Sequence, residues 1–259
     1  MTSSKPLVLC LSGHDPVGGA GIHADIEAVA ANGGHAISLI TALTVQDTAQ
    51  VQRVQSVPAV LLAQQLQTVL ADCTPAAVKI GLLGEAAQIP VIVEAIAALQ
   101  IQIPLVLDPV LRAGGGATLA GTQTIVAMQT QLFPCVTVLT PNAAEARRLA
   151  PQAGTDADRA QVLLRQGCRN ILVTGGDEAG AEVCNIWYRD GAAPQHYRWP
   201  RLAETFHGAG CTLAAALATR LARGEAMPEA ILQAQRYTQT SLQAALSVGR
   251  GRRIPGRLP

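Results

Sequence analysis

Late in the chain, His207-Gly208-Ala209-Gly210-Cys211-Thr212 runs straight into an alanine-rich stretch of helical character, Leu213–Leu221. Glycines let a backbone turn sharply and present successive N–H groups, and the helix that follows adds the positive end of its dipole. Such a turn can cradle a phosphate. A glycine-rich turn that merely starts a helix would look the same, so the motif alone leaves both readings open. Cys211 sharpens it. A thiol at a helix N-terminus has its thiolate favoured by the dipole and could act as a base or polarise a neighbour, although a small buried hydrophobe is the ordinary role of a single cysteine.

Two acids fall just after apolar runs, Asp108 in Leu105-Val106-Leu107-Asp108-Pro109 and Glu145 in Thr140-Pro141-Asn142-Ala143-Ala144-Glu145. Ligands of open α/β sheets bind at the carboxyl ends of strands, and hard oxygen donors there suit Mg²⁺ and phosphate chemistry. A strand-end turn residue and a first-turn helix acid are the bland alternatives. Gly175-Gly176-Asp177 offers another flexible strand end that a nucleotide could approach, or equally a plain turn. An earlier cluster, Gly18-Gly19-Ala20-Gly21, is flanked by Asp15 and Asp25. It lacks the spacing of a dinucleotide fingerprint and the later ribose-binding acid, and no Gly-Lys-Ser or Gly-Lys-Thr makes it a Walker loop, so a loop admitting substrate to the backbone is the better reading.

These positions need a scaffold. Short Val/Leu/Ile runs alternate with alanine-rich helical segments, the pattern of a parallel sheet with helices on both faces. The runs predict strands at Leu7–Leu11, His35–Leu43, Ala77–Ile80, Leu105–Leu107, Val136–Leu139 and Asn170–Val173. Helices are predicted at Ala24–Asn32, Ala59–Ala71, Ile89–Leu99, Thr122–Leu132, Ala143–Leu149 and Asp156–Gln166, with a hairpin over Glu182–Tyr197 turning near Asp190 and Gly191. Two long helices, Cys211–Arg223 and Pro228–Leu246, close the pattern. The tail from Gly249 to Pro259, rich in Gly, Arg and Pro, is expected to be loose or to dock late, with its arginines at 250, 252, 253 and 257 solvated.

The 259 residues are 49% hydrophobic and 14% charged, enough to bury one large α/β core, and no repeat or linker marks a boundary, so a single domain over 1–259 is expected. Nineteen Lys and Arg against 18 Asp and Glu leave a net charge of +1, no global field for nucleic acid or an anionic membrane. Anions must be held locally. Cysteines at 10, 73, 135, 168, 184 and 211 show no zinc or disulfide spacing and read as reduced thiols of a cytoplasmic protein. Met1–Pro6 begins neither a signal peptide nor a membrane span.

Taken in order, six segments resemble the hydroxymethylpyrimidine/phosphomethylpyrimidine kinases of thiamine biosynthesis, within the ribokinase superfamily. They are the run from Ser12 to Asp25 (SGHDPVGGAGIHAD), Ile40 to Thr48 (ITALTVQDT), Lys79 to Leu83 (KIGLL), Asp108-Pro109-Val110, Thr140-Pro141-Asn142 with Glu145, and His207 to Thr212. The resemblance implies a ribokinase-like three-layer α/β/α fold, and phosphorylation by ATP, with Mg²⁺, of 4-amino-5-hydroxymethyl-2-methylpyrimidine and then of its monophosphate. Carried over by position, Gln46 would hydrogen-bond the aminopyrimidine, with Ala20, Thr44, Leu82 and Val110 lining the ring pocket. An amide suits that task because it donates and accepts at once. Gly208, Ala209 and Gly210 would form the anion hole, and Cys211 would stand where the superfamily's sugar kinases carry a catalytic aspartate. Asp108 and Glu145 would hold Mg²⁺ through water. Nucleotide contacts would fall to Asn142, Thr174, Gly176 and Gly210. Enzymes of this superfamily are often dimers, so the resemblance leaves a homodimer open.

The chain departs from the family pattern at Val17 (usually serine), His23 (usually glutamine) and Ala209 (usually threonine). Thr174-Gly175-Gly176-Asp177 stands where lysine usually precedes the two glycines and histidine follows. The approach from Leu202 to Phe206 lacks a usual lysine and threonine. Each charge-assisted contact is worth about 1.5–3 kcal/mol, so the second, more highly charged phosphorylation is expected to be the slower. A pyridoxal kinase shares the fold and the cysteine-bearing loop, and a non-catalytic pyrimidine sensor would keep the pocket without turnover. Gln46 and the long first loop favour the pyrimidine branch. Asp108, Glu145 and Cys211 favour a catalyst.

Overall fold

The protein is described by a computed structural model covering residues 5–99, 101–112 and 119–258; residues 1–4 at the start and Pro259 of the tail lie outside the described residues. Six apolar strands run parallel at the centre, namely β1 (Leu7–His14), β2 (His35–Gln46), β4 (Ala77–Ile80), β5 (Leu105–Leu107), β6 (Val138–Leu139) and β7 (Asn170–Val173). Antiparallel strands extend both edges: β3 (Val51–Ser56) on one side, β8 (Glu182–Arg189) and β9 (Gln195–Pro200) on the other, in the order β3-β2-β1-β4-β5-β6-β7-β8-β9. The hairpin turns at Asp190 and Gly191, where the sequence placed it.

Alternation along each strand distributes side chains between two helical layers. Leu9 and Leu11 pack with α2 (Ala59–Asp72), α3 (Gln88–Ala97), α4 (Thr122–Ala127), α5 (Ala143–Leu149) and α6 (Asp156–Arg165). Their neighbours Val8 and Cys10 pack the other way, against α1 (Gly21–Ala31), α7 (Ala209–Ala222) and α8 (Met227–Gln243). The same split recurs at Leu105/Val106/Leu107 and Ile171/Leu172/Val173. This is the expected three-layer α/β/α fold. The segment predicted as one helix over Thr122–Leu132 is α4 followed by a π-helical turn, Met128–Leu132.

Two features depart from expectation. Strand β3, VQRVQS, has no apolar run because it is an edge strand pairing with the end of β2, where polar side chains face solvent. The tail, read as either loose or late to dock, docks, and its last arginine is not in solvent. Leu246 pairs with Ile254, Gly256 N–H donates to Ser241 O at 2.9 Å, and Arg257, expected to be solvated, is 3% exposed. Its burial is repaid by fixed carbonyl and carboxylate partners, which composition does not reveal. Among the described residues, no helix is long and apolar enough to cross a membrane.

Candidate active site

The carboxyl ends of the parallel strands share one edge, and the residues singled out in the sequence collect there. After β1 the chain turns through Asp15, a buried carboxylate whose oxygens accept from Val17 N (3.0 Å), Ala20 N (2.9 Å) and His207 Nε2 (3.0 Å). Burial pushes Asp15 up, but its hydrogen bonds to His207 and to the two backbone N–H groups outweigh that and hold it below the usual carboxylate range. A single carboxylate thus joins the first glycine loop to the last. Gly21 opens α1 with φ +60°, and a Cβ there would overlap the Gly13 carbonyl oxygen, so the turn requires glycine.

Gly208 precedes α7 in the left-handed region, φ +92°, and accepts from Thr212 N at 2.9 Å and Thr212 Oγ1 at 2.8 Å. No side chain caps α7 and no acid occupies its first turn. The N–H groups of that turn therefore lack helical acceptors and retain their affinity for an anion. Gly210 faces Asp108 across this opening, since a Cβ on Gly210 would lie 3.6 Å from Oδ2 and 3.8 Å from Oδ1.

The thiolate-favouring effect expected at Cys211 is overridden. Burial, with the negative fields of Asp108 and Asp25, pushes the thiol up to about 12 against the pull of Lys79. At neutral pH it is a thiol, and its proximity lowers the Asp108 carboxyl somewhat against burial. Burial pushes Asp108 up to about 6, and burial together with the charge of Asp108 pushes Glu145 up to about 8. Glu145 is also a structural acid: it accepts from Asn142 N (3.0 Å) and Leu111 N (3.1 Å), while Asn142 Oδ1 accepts from Glu145 N (2.8 Å), a capping box that starts α5. The bland and functional readings of Glu145 thus coexist. Two buried carboxylates repelling one another are a donor set that a hard divalent cation relieves. Among the described residues no cluster of three or more ligating His, Cys, Asp or Glu side chains occurs.

Beneath this edge lies a group whose partnership the sequence did not signal. Lys79 is fully buried on the α7 side of β4, with Nζ 2.7 and 2.8 Å from the two Asp25 oxygens and 2.8 Å from Ser12 Oγ, which itself donates to Asp25 Oδ2 at 2.5 Å. Desolvation pulls the lysine down, but Asp25, Cys211 and Asp108 together hold it above its ordinary value. It stays charged. Spacing of 54 residues between Lys79 and Asp25 hid the pair; a lysine inside a four-residue buried strand was the available signal.

The remaining named positions share the same edge. Ala20 precedes α1, Thr44 and Gln46 end β2, and Leu82 and Val110 follow β4 and β5. Thr44 Oγ1 donates to His14 O at 2.8 Å, and Thr41 Oγ1 donates to Leu82 O. Thr174 bridges to Asn142, while Gly176 has open space where a side chain would be. Arg201, unmarked in the sequence, encloses this loop by donating to the carbonyls of Gly175, Gly176, Glu178 and Gly180 at 2.6–3.3 Å.

Comparison with known proteins places these observations in a family context. A family model described as phosphomethylpyrimidine kinase matches residues 15–255. The hydroxymethylpyrimidine/phosphomethylpyrimidine kinase of Synechococcus elongatus is 37% identical over 251 residues, covering 95% of each chain. The thiamine biosynthesis bifunctional protein ThiED of Geobacter sulfurreducens is 38% identical over 249 residues; the match takes in 94% of this chain and 50% of that longer protein. Among solved structures, the pyridoxal kinase of Staphylococcus aureus in complex with AMP-PCP superposes with a TM-score of 0.89 at 25% identity, covering 98% of this chain and 94% of that one.

Proposed function

Since the chain belongs to the phosphomethylpyrimidine kinase family, we propose that it uses ATP to phosphorylate 4-amino-5-hydroxymethyl-2-methylpyrimidine and then the resulting monophosphate, for thiamine biosynthesis. The observation that carries this reading is the opening between α7 and Asp108, where uncapped N–H groups meet two buried carboxylates.

Phosphoryl transfer through a loose transition state needs alignment and charge stabilisation more than a strong base. The N–H groups of Ala209, Gly210 and Cys211 receive the transferring phosphoryl group, and Gly208 gives the turn its shape. Cys211, kept neutral by burial beside Asp108, orients the substrate hydroxyl as an uncharged thiol. Asp108 and Glu145 would hold Mg²⁺, with Asn142 alongside. When bound, the metal neutralises polyphosphate charge. Lys79 tempers the field of Asp25 beneath the site. Gln46 reads the aminopyrimidine, with Ala20, Thr44, Leu82 and Val110 around the ring. Thr174 and Gly176 border the nucleotide, and the AMP-PCP bound by the Staphylococcus aureus pyridoxal kinase supports an adenine nucleotide here. All six cysteines are free, in keeping with a cytoplasmic enzyme. A homodimer is proposed on the apolar side chains that Leu43, Val45 and Leu61 expose, each at least 45% accessible.

ADP release measured with ATP, Mg²⁺ and each of three acceptors tests the assignment. The pyrimidine alcohol should turn over fastest, its monophosphate more slowly because Thr174 and the 202–206 approach lack the family's cations, and pyridoxal least. Equal rates on alcohol and monophosphate would remove the charge argument, and preference for pyridoxal would overturn the substrate.

A further inference from the structure

The segment after α8 does more than cover a hydrophobic face. Arg257 reaches back across the fold with its guanidinium fully buried. Nη1 donates to Gly18 O at 3.1 Å and pairs with Glu27 Oε2 at 3.0 Å, Nη2 donates to Gly19 O, and Nε donates to Thr212 Oγ1 at 2.8 Å. Thr212 Oγ1 in turn donates to Gly208 O at 2.8 Å. A single planar fork therefore spans the first glycine loop and the first turn of α7. At this crossing the two backbones touch, since a Cβ on Gly208 would overlap Gly19 O and lie 2.9 Å from Nη2.

We infer that Arg257 is a positioning residue for phosphoryl transfer, fixing the substrate-side loop at Gly18–Gly19 against the anion-binding turn at Gly208. The inference rests on the kinase reading for its consequence in turnover, and on geometry alone for its consequence in loop order. Four donor contacts in fixed directions match a guanidinium and not an ammonium, which offers a point charge. The segment is itself anchored, because Tyr237 Oη donates to Arg257 O at 2.8 Å. It also holds the turn after Gln46, where Gly251 N donates to Thr48 Oγ1 at 2.9 Å and Arg252 N to Thr48 O at 3.0 Å. Were the segment a plain cover for α8, its arginine would satisfy α8 or solvent; its guanidinium instead spends its contacts on α1, α7 and the loop between β1 and α1.

Amide hydrogen exchange on the full chain without ligands, paired with steady-state kinetics, tests this for Arg257→Ala and Arg257→Lys. Exchange at residues 17–21 and 208–212 should accelerate at least tenfold, while α6 and β7 stay protected. The kcat should fall about 10- to 100-fold, with KM for ATP changing less than threefold, as expected when loops are misaligned by a fraction of an ångström. Arg257→Lys, which keeps the cation and stem, should show the same pattern and serves if the alanine variant does not fold. Unchanged exchange in both loops, or faster exchange throughout the protein, would overturn the inference whatever the substrate proves to be. Turnover within twofold of the parent despite loosened loops would overturn it as well.

Discussion

Replacing Gly210 by alanine separates the stability of α7 from its use. Gly210 is the second residue of a 14-residue helix and its backbone is not in the left-handed region, so alanine fits the conformation and gains up to about 1 kcal/mol in helix propensity. The added methyl meets nothing nearer than the Asp108 carboxylate at 3.6 Å, an ordinary contact. The fold should therefore be unharmed, with Tm unchanged or raised by up to about 2–4 °C. The methyl nevertheless enters the opening between the helix end and Asp108, where the transferring group must sit. A displacement of about 1 Å costs roughly 10²-fold in rate, or about 2.7 kcal/mol of barrier. Coupled ADP release, with melting followed on the same preparation, should show kcat reduced about a hundredfold at full stability. Turnover within threefold of the parent would refute the placement of the phosphoryl group at this turn.

Gly208→Ala should behave oppositely, because it strains a left-handed residue and drives a methyl into Gly19 O; a loss of about 2–4 kcal/mol should appear in chemical denaturation, and unchanged stability would contradict the close approach. Cys211→Ser should leave the shape of the kcat/KM pH profile unaltered between pH 6 and 9, because a thiol near 12 is only about one part in ten thousand ionised at pH 8; loss of a limb in the serine variant would restore a thiolate base. The raised carboxyl of Glu145 binds its proton more tightly folded than unfolded, so its contribution is present below about pH 4.5 and lost as pH rises through about 8. The unliganded protein should accordingly lose Tm between pH 5 and 8, Glu145→Gln should flatten that slope, and a Tm rising with pH in both proteins would reverse the assignment.

Much of this site was legible because its parts are local. The central strands are short Val/Leu/Ile runs whose alternation shows in Leu7–Leu11 and Leu105–Leu107, and strand ends brought Asp108 and the Asn142–Glu145 turn to one edge. The illegible parts depend on tertiary neighbours. A polar edge strand such as Val51–Ser56 acquires its conformation from β2 rather than from its own composition. Helix position suggested an acidic thiol at Cys211, but burial and two nearby carboxylates decide its proton, and neither is written near residue 211. The Lys79–Asp25 pair and the Arg257 fork join residues 54 and more than 200 positions apart. Composition left the tail either loose or late to dock and put its arginines in solvent, because nothing near residue 257 shows what could receive them; Gly18, Gly19 and Thr212 receive Arg257 here.

The most direct test of the central claim is phosphorus NMR of the purified protein with ATP, Mg²⁺ and 4-amino-5-hydroxymethyl-2-methylpyrimidine, followed to completion. The account predicts a pyrimidine monophosphate resonance growing with ADP, then a slower diphosphate pair. ATP left intact beside a protein that binds the pyrimidine would contradict it.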